Sequence, residues 1–296
     1  ANPAHVGPGP GASAVRSNLH SVDALHEMQP FLADLESTCA TQSLPVEALL
    51  CEMGPSQVEV VLGPQDALRA ADAVIALRRA VRGFARLRGW NASFMPKPLA
   101  DHAGSSMHVH LSLVDETGVN AFANGAGEDR LEHAIGGCLA HLAESQLLFS
   151  PHANSFRRYV AQGHAPTGPT WGRDDRFAAL RVPRSSDSAR RLEHRMCGSD
   201  ANPYLAIAAI LAAALDGIER ATDPGPPAVV AADSRRFPDL ARGWSEAIDA
   251  FAGSDWVEKT FGHELRRAFV ACKRQERDRL LSRIPDVELD AYLETL

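Results

Sequence analysis

Residues 107–113 read Met-His-Val-His-Leu-Ser-Leu, and the alternation of apolar and polar side chains does not break. A period of two is the period of a pleated strand and cannot form one face of a helix. Met107, Val109, Leu111 and Leu113 therefore share one face, suited to burial under helices, and His108, His110 and Ser112 share the other. Burial explains the apolar face. It leaves two imidazoles side by side behind the Gly104-Ser105-Ser106 loop, either as the polar side of a strand or as a metal or anion site.

Around this strand the chain reads as α+β. Residues 22–42 have helical spacing with Pro30 as a kink or boundary, and residues 45–52 and 57–63 are short β-like runs separated by the tight turn Met53-Gly54-Pro55-Ser56. A long helix is expected over 64–89, from Pro64 to Gly89. Strand-like segments follow at 91–97 and 106–114, then a helix over roughly 128–149. The stretch 150–175 is Pro/Gly-rich and too long for a simple connector. Strands near 177–183 and 189–196, an Ala-rich helix at 203–221 and a helical C-terminal region complete the reading, with no internal repeat. The opening residues 1–20 read as a linker or a truncated start, and 21–296 as one catalytic domain.

Composition narrows the class of partner. With 296 residues, 45% hydrophobic, and a formal net charge of −7, the chain suits a globular protein with a sizeable core and not a nucleic-acid binder. Five scattered cysteines without a C-x-x-C pair suggest a reduced, cytoplasmic protein without a cysteine-type zinc site. The longest apolar run, 204–215, is too short to span a bilayer, and no signal peptide is visible.

Three groups of residues suit chemistry. Glu52 and Glu59 flank the 53–56 turn, so a hairpin would bring both carboxylates to one end; the alternative is an outward-facing Glu59 on an alternating strand. Residues 157–195 hold nine arginines against four acidic residues, an excess suited to bidentate recognition of phosphate or carboxylate. Within that stretch Arg191, Glu193 and Arg195 share a strand face, either as a salt-bridge ladder or as a site. Combined with the His108/His110 pair, the donor set is oxygen-rich, which favours Mg²⁺ or Mn²⁺ over zinc and points to metal-assisted ATP chemistry. No G-x-x-x-x-G-K-S/T or G-x-G-x-x-G segment is present, so neither a P-loop nor a Rossmann site is indicated.

The blocks "FMPKPLADHAGSSMHVHLSL", "NSFRRYV", "WGRDDRFAALRVP" and "ARRLEHRMCGSDANPYLAIAAILAAALDGIE", in that order and spacing, resemble the glutamine synthetase superfamily. The resemblance implies a curved antiparallel sheet backed by helices, and a ligase that phosphorylates the γ-carboxylate of glutamate with ATP before an amine attacks. It implies two divalent ions, Mg²⁺ or Mn²⁺, one held by Glu52 and Glu59 and the other by His108 and Glu193. It assigns His110, Arg181 and Arg191 to ATP, Gly104, Arg158 and Arg195 to glutamate, and Arg176 and Arg181 to the transferring phosphoryl group. It further implies a homo-oligomer of stacked rings, a dodecamer at full length.

Departures from the family pattern refine this. An E-x-E strand that supplies one further ligand to each ion has no counterpart before Glu52, nor is there the small N-terminal domain, so the sequence reads as truncated. His164, in "QGHAP", stands where ammonia-using members carry a flap glutamate, and Ala103 stands where an Asn usually meets the substrate. With the short step from Glu52 to Glu59, these resemble the branch acting on polyamines or other organic amines, with His164 accepting the amine's proton. Ordinary ammonia-using glutamine synthetase, a non-catalytic relative and, more remotely, a His-x-His metallohydrolase are the competing readings. No counterpart of the adenylylated "NLY" segment is found.

Overall fold

Two separate hydrophobic cores meet along a seam, and each is dictated by its own run of sequence. The computed structural model describes residues 19–123, 125–159, 165–228 and 238–294. The first core belongs to helices α1 (Val22–Glu27) and α2 (Gln29–Thr41), the hairpin of β1 (Val46–Cys51) and β2 (Val58–Leu62), and helix α3 (Ala67–Leu87). The helix break falls at Met28, so Pro30 sits in the first turn of α2, where its missing N–H costs nothing. Phe31, Leu32, Leu35 and Cys39 of α2 pack with Cys51 and with Leu77 and Ala85 of α3. Helix α3 begins later than Pro64, because the Asp66 side chain accepts from the Arg69 N–H at 3.0 Å and caps it. It ends at Leu87, with Arg88 as its C-cap, and the chain turns away at Gly89, whose φ of 70° suits a residue without a Cβ.

The second core is larger. It gathers β3 (Val109–Leu111), α4 (Ala126–Ala140), α5 (Leu142–Phe149), β4 (Trp171–Arg173), β5 (Leu180–Val182), β6 (Leu192–His194), α6 (Pro203–Glu219), α7 (Trp244–Ala252), α8 (Asp255–Phe261) and α9 (His263–Leu281); α10 (Asp286–Tyr292) follows with an exposed surface. The sheet order is β3-β6-β5-β4. The pairs β3–β6 and β6–β5 are antiparallel as expected, while β4 runs parallel to β5, an edge strand the sequence did not announce. The 107–113 alternation is carried into space: Met107, Val109, Leu111 and Leu113 pack on this core, and His108, His110 and Ser112 face outward.

Two sequence expectations need correction. Residues 91–97 form no strand: the Lys97 N–H and carbonyl are taken by the Asn154 side chain, at 2.9 and 3.0 Å, in place of a neighbouring strand. The helix expected over 128–149 is two helices that meet at His141. There the two ring nitrogens face Glu144 (2.5 Å) and Asp216 (2.9 Å), and the ring stacks on Trp256 with centroids 4.2 Å apart. Among the described residues no helix is long and apolar enough to cross a membrane.

Helices α4 and α6 touch backbone to backbone. A Cβ on Gly137 would lie 2.1 Å from the Ala213 carbonyl oxygen, and one on Gly217 would lie 2.2 Å from that of His133. Gly137→Ala should therefore destabilise the fold by about 3 kcal/mol, the scale of forced overpacking; a denaturant midpoint equal to that of the wild type would refute the close packing. His141 offers a pH test. Burial alone would lower its pKa, but the hydrogen bonds and charges of Glu144 and Asp216 outweigh that and raise it. Its contribution is then complete below the ordinary imidazole value of about 6.5 and is lost as pH rises through the raised native value. The stability difference between wild type and His141→Gln should be larger at pH 6 than at pH 9, and a pH-independent difference would contradict it.

Candidate active site

The β1–β2 hairpin has two faces with different tasks. Register pairs Leu50 with Glu59 and Cys51 with Val58, and the Glu52 N–H donates to the Gln57 carbonyl at 2.9 Å. By period two, Glu52, Gln57 and Glu59 therefore share a face, opposite the face on which Leu49, Cys51, Val58 and Val60 bury into the first core. Glu52 lies within hydrogen-bonding reach of Glu59. Gln57 binds this hairpin to the loop before β3: its amide donates to the Gly104 carbonyl (3.0 Å) and the Ser105 hydroxyl (2.9 Å), and its oxygen accepts from the Gly54 N–H (2.8 Å). The amide donors cross the seam, while the oxygen braces the hairpin's own turn. Nothing in the composition marked it; the signal was its same-face spacing from Glu59.

Across the seam stands Glu193 in the inner strand β6, with a side chain only 3% exposed. Its neighbours on either side are His110 on β3 and Arg181 on β5. Arg181 Nη1 donates to Glu193 Oε2 at 2.8 Å, Arg195 donates to Oε1, and His108 Nδ1 lies 3.3 Å from Oε1. A buried carboxylate without such partners would be strongly destabilising. Burial pushes the Glu193 pKa up, but the charge of Arg195 and the Arg181 hydrogen bond outweigh it, so the carboxyl is held below its usual value.

The two imidazoles are kept neutral. Desolvation, reinforced by Arg195, lowers the His108 pKa to about 3, and desolvation with the charges of Arg191 and Arg181 lowers that of His110. Neutral imidazole is the form that ligates metals. Glu59 moves the other way: desolvation, then the hydrogen bond and charge of Glu52 and the charge of Glu193, raise it to about 7 against the pull of Arg195. Carboxylates crowded until one holds a proton would be relieved by a cation placed between them. The chemistry of the donors, carboxylate oxygens with neutral imidazole, fits a hard divalent ion. The donors converge as the pairs Glu52/Glu59 and His108/Glu193; among the described residues no three His, Cys, Asp or Glu side chains form a set able to hold an ion alone.

The remaining candidates are placed as follows. Arg191 donates to His110 Nδ1 at 3.1 Å, joining two residues 81 positions apart. Arg158 is 3% exposed and donates to Ser106 Oγ (2.6 Å) and to the carbonyls of Met196 (2.7 Å) and Cys197 (3.0 Å). Its guanidinium is engaged with the protein itself, and Gly104 packs on its stem: a Cβ there would lie 2.8 Å from Arg158 Cγ. Arg176 is exposed in the turn between β4 and β5. In that same turn Asp174, which the sequence reading passed over, pairs with Arg181. His164 lies outside the described residues.

Residues 7–292 match the family described as glutamine synthetase, catalytic domain. Gamma-glutamylputrescine synthetase PuuA of Escherichia coli (strain K12) is 32% identical over 97% of this chain and 61% of its own length. Gamma-glutamylethanolamide synthetase GlnA4 of Streptomyces coelicolor is 34% identical over 94% and 60%, and a glutamine synthetase of Mycobacterium tuberculosis (strain H37Rv) is 34% identical over 95% and 63%. The chain thus spans about three fifths of the length of the curated relatives it matches. The solved structure of apo GmaS without ligand superposes with a TM-score of 0.87 at 29% identity, covering 97% of this chain and 68% of that one.

The raised Glu59 pKa makes a calorimetric prediction. With the Glu59 carboxyl pushed up to about 7, a cation that binds the Glu52/Glu59 pair near neutral pH displaces protons from it. Mn²⁺ titrated in two buffers of different ionisation enthalpy should therefore show proton release at pH 7 that fades by pH 9. Heats independent of buffer at pH 7 would contradict it.

Proposed function

This chain belongs to the glutamine synthetase catalytic-domain family, and from that premise we propose that it carries the catalytic machinery of an ATP-dependent ligase joining the γ-carboxylate of glutamate to an organic amine through γ-glutamyl phosphate. The observation that supports this best is the buried Glu193, held between Arg181 and Arg195 beside a neutral His108. Such a cluster concentrates fixed positive charge beside potential cation ligands, which is what transfer of a phosphoryl group requires.

Two divalent ions, Mg²⁺ or Mn²⁺, would be held by Glu52 with Glu59 and by His108 with Glu193, and would neutralise the phosphate charge when bound. Arg176 and Arg181 present guanidinium donors to the oxygens of the transferring group, and His110, Arg181 and Arg191 bind the nucleotide phosphates. Arg195 holds the glutamate; Arg158, committed to the backbone carbonyls of Met196 and Cys197, fixes the Gly104 loop on which that glutamate rests. The acceptor must attack as a neutral amine, so a proton has to leave it. His164 takes that proton, with an imidazole whose ordinary pKa of about 6.5 suits the task near neutrality. Relatives named for putrescine, ethanolamide and isopropylamine products support an organic acceptor. The protein is proposed to assemble as stacked rings.

Ammonium is the second reading, favoured by the glutamine synthetases that match at the same 34% identity. The test uses the protein purified from its source, with glutamate, ATP and separately putrescine, ethanolamine, isopropylamine and ammonium, following ADP release and the amide product by mass. An organic amine should give a kcat/KM at least about tenfold above that of ammonium, the scale of differential binding of one added apolar group. Preference for ammonium would establish the second reading, and no ADP release with any acceptor would mean a non-catalytic relative.

A further inference from the structure

Arg181 is shared between two carboxylates of different character. On one side its Nη1 donates to Glu193, 3% exposed in the inner strand; on the other its Nη2 pairs with Asp174, whose side chain is 56% exposed. Its Nε is buried and meets no acceptor. The inner partner is fixed by strand pairing, since Arg181 and Glu193 are directly opposed. The outer one sits in a turn and can be replaced. Asp174 holds a left-handed backbone, φ 56°, with its N–H donating to the Val182 carbonyl at 2.9 Å. That conformation is uncommon for a residue with a Cβ and tolerated by Asp and Asn. It brings the carboxylate to the guanidinium of Arg181 and toward the charge of Arg176, with the Arg184 N–H donating to it as well; hydrogen bonding by Arg181 holds its pKa below the usual carboxylate value, so it stays ionised.

We propose that Asp174 is an internal stand-in for a phosphate oxygen: its carboxylate occupies the outer donor of Arg181, and an incoming phosphoryl anion must displace it. The inference rests on the nucleotide-binding part of the function proposed above. Its sign is the opposite of what a supporting residue would give. A phosphate carries more charge than a carboxylate and more acceptor oxygens, so it can win the exchange. While Glu193 keeps hold of Nη1, the arginine remains aimed when Asp174 lets go. The neighbouring Asp175 supplies a control. It has the same charge, but its Oδ1 accepts from the Phe177 N–H at 2.8 Å and it makes no ion pair with Arg181 among the described residues.

The experiment is calorimetric titration of ADP into wild type, Asp174→Asn and Asp175→Asn with Mg²⁺ present, none of which needs turnover. Asparagine keeps the left-handed turn accessible, and near-ultraviolet circular dichroism confirms the fold of each variant. Asp174→Asn should bind ADP about three- to tenfold more tightly, the range of releasing a partly exposed ion pair, while Asp175→Asn should stay within twofold of wild type. Unchanged or weaker binding by Asp174→Asn, or equal tightening by both variants, would overturn the inference while leaving the proposed function standing. Absence of ADP binding by the wild-type protein would overturn the two together.

Discussion

A carboxylate sits where water cannot solvate it, in the inner strand of a four-stranded sheet, and much of the second core is arranged to make that tolerable. Removing a partner from a buried ion pair costs about 3–5 kcal/mol, since it leaves the other charge uncompensated. Glu193 therefore specifies its surroundings: an arginine opposite it on β5, another two residues further along, and a histidine on the strand that leads into β3. Those requirements fix the order of the strands as firmly as the apolar faces beneath them do. The same cluster, positive at its rim and negative at its centre, is the electrostatic basis of the proposed site.

The hairpin core answers to a different constraint. Its carboxylates Glu52 and Glu59 repel each other and Glu193, so no interaction among them holds the two cores together. The closure is made by neutral and cationic groups instead: Gln57 on the Gly104–Ser105 loop, Arg78 on the Ala201 carbonyl at 3.0 Å, and the Tyr204 hydroxyl on Asp72 at 2.5 Å. The seam thus keeps acidic groups facing one another without having to pair them, a geometry that a divalent ion would complete.

How much of this the sequence revealed depends on the range of the interaction. The 107–113 alternation and the Arg191/Glu193/Arg195 face follow from a period of two and the hairpin from its Met53-Gly54-Pro55-Ser56 turn; these signals are local, and all three features are seen in the structure. The resemblance to a known family then ordered these pieces into one reading. Missed were the features that depend on long-range partners. Residues 91–97 look like a strand until Asn154, 57 positions away, takes the hydrogen bonds of Lys97. The break at His141 depends on Asp216, 75 positions on. Arg158 donates to the carbonyls of Met196 and Cys197, 38 and 39 positions on, contacts that no spacing announces, and Asp174 is one acid among many until its pairing with Arg181 is seen. Spacing predicts faces; it does not predict which distant group will satisfy a donor.

The central claim is that the paired residues Glu52/Glu59 and His108/Glu193 face a common cation-binding seam. Anomalous diffraction from crystals of the natural protein grown with Mn²⁺ and ADP tests it directly. The account predicts two manganese peaks, one against Glu52 and Glu59 and one against His108 and Glu193, with the nucleotide phosphates between them and Arg181 and Arg191. Manganese bound elsewhere, or ADP bound with no metal at either pair, would contradict it.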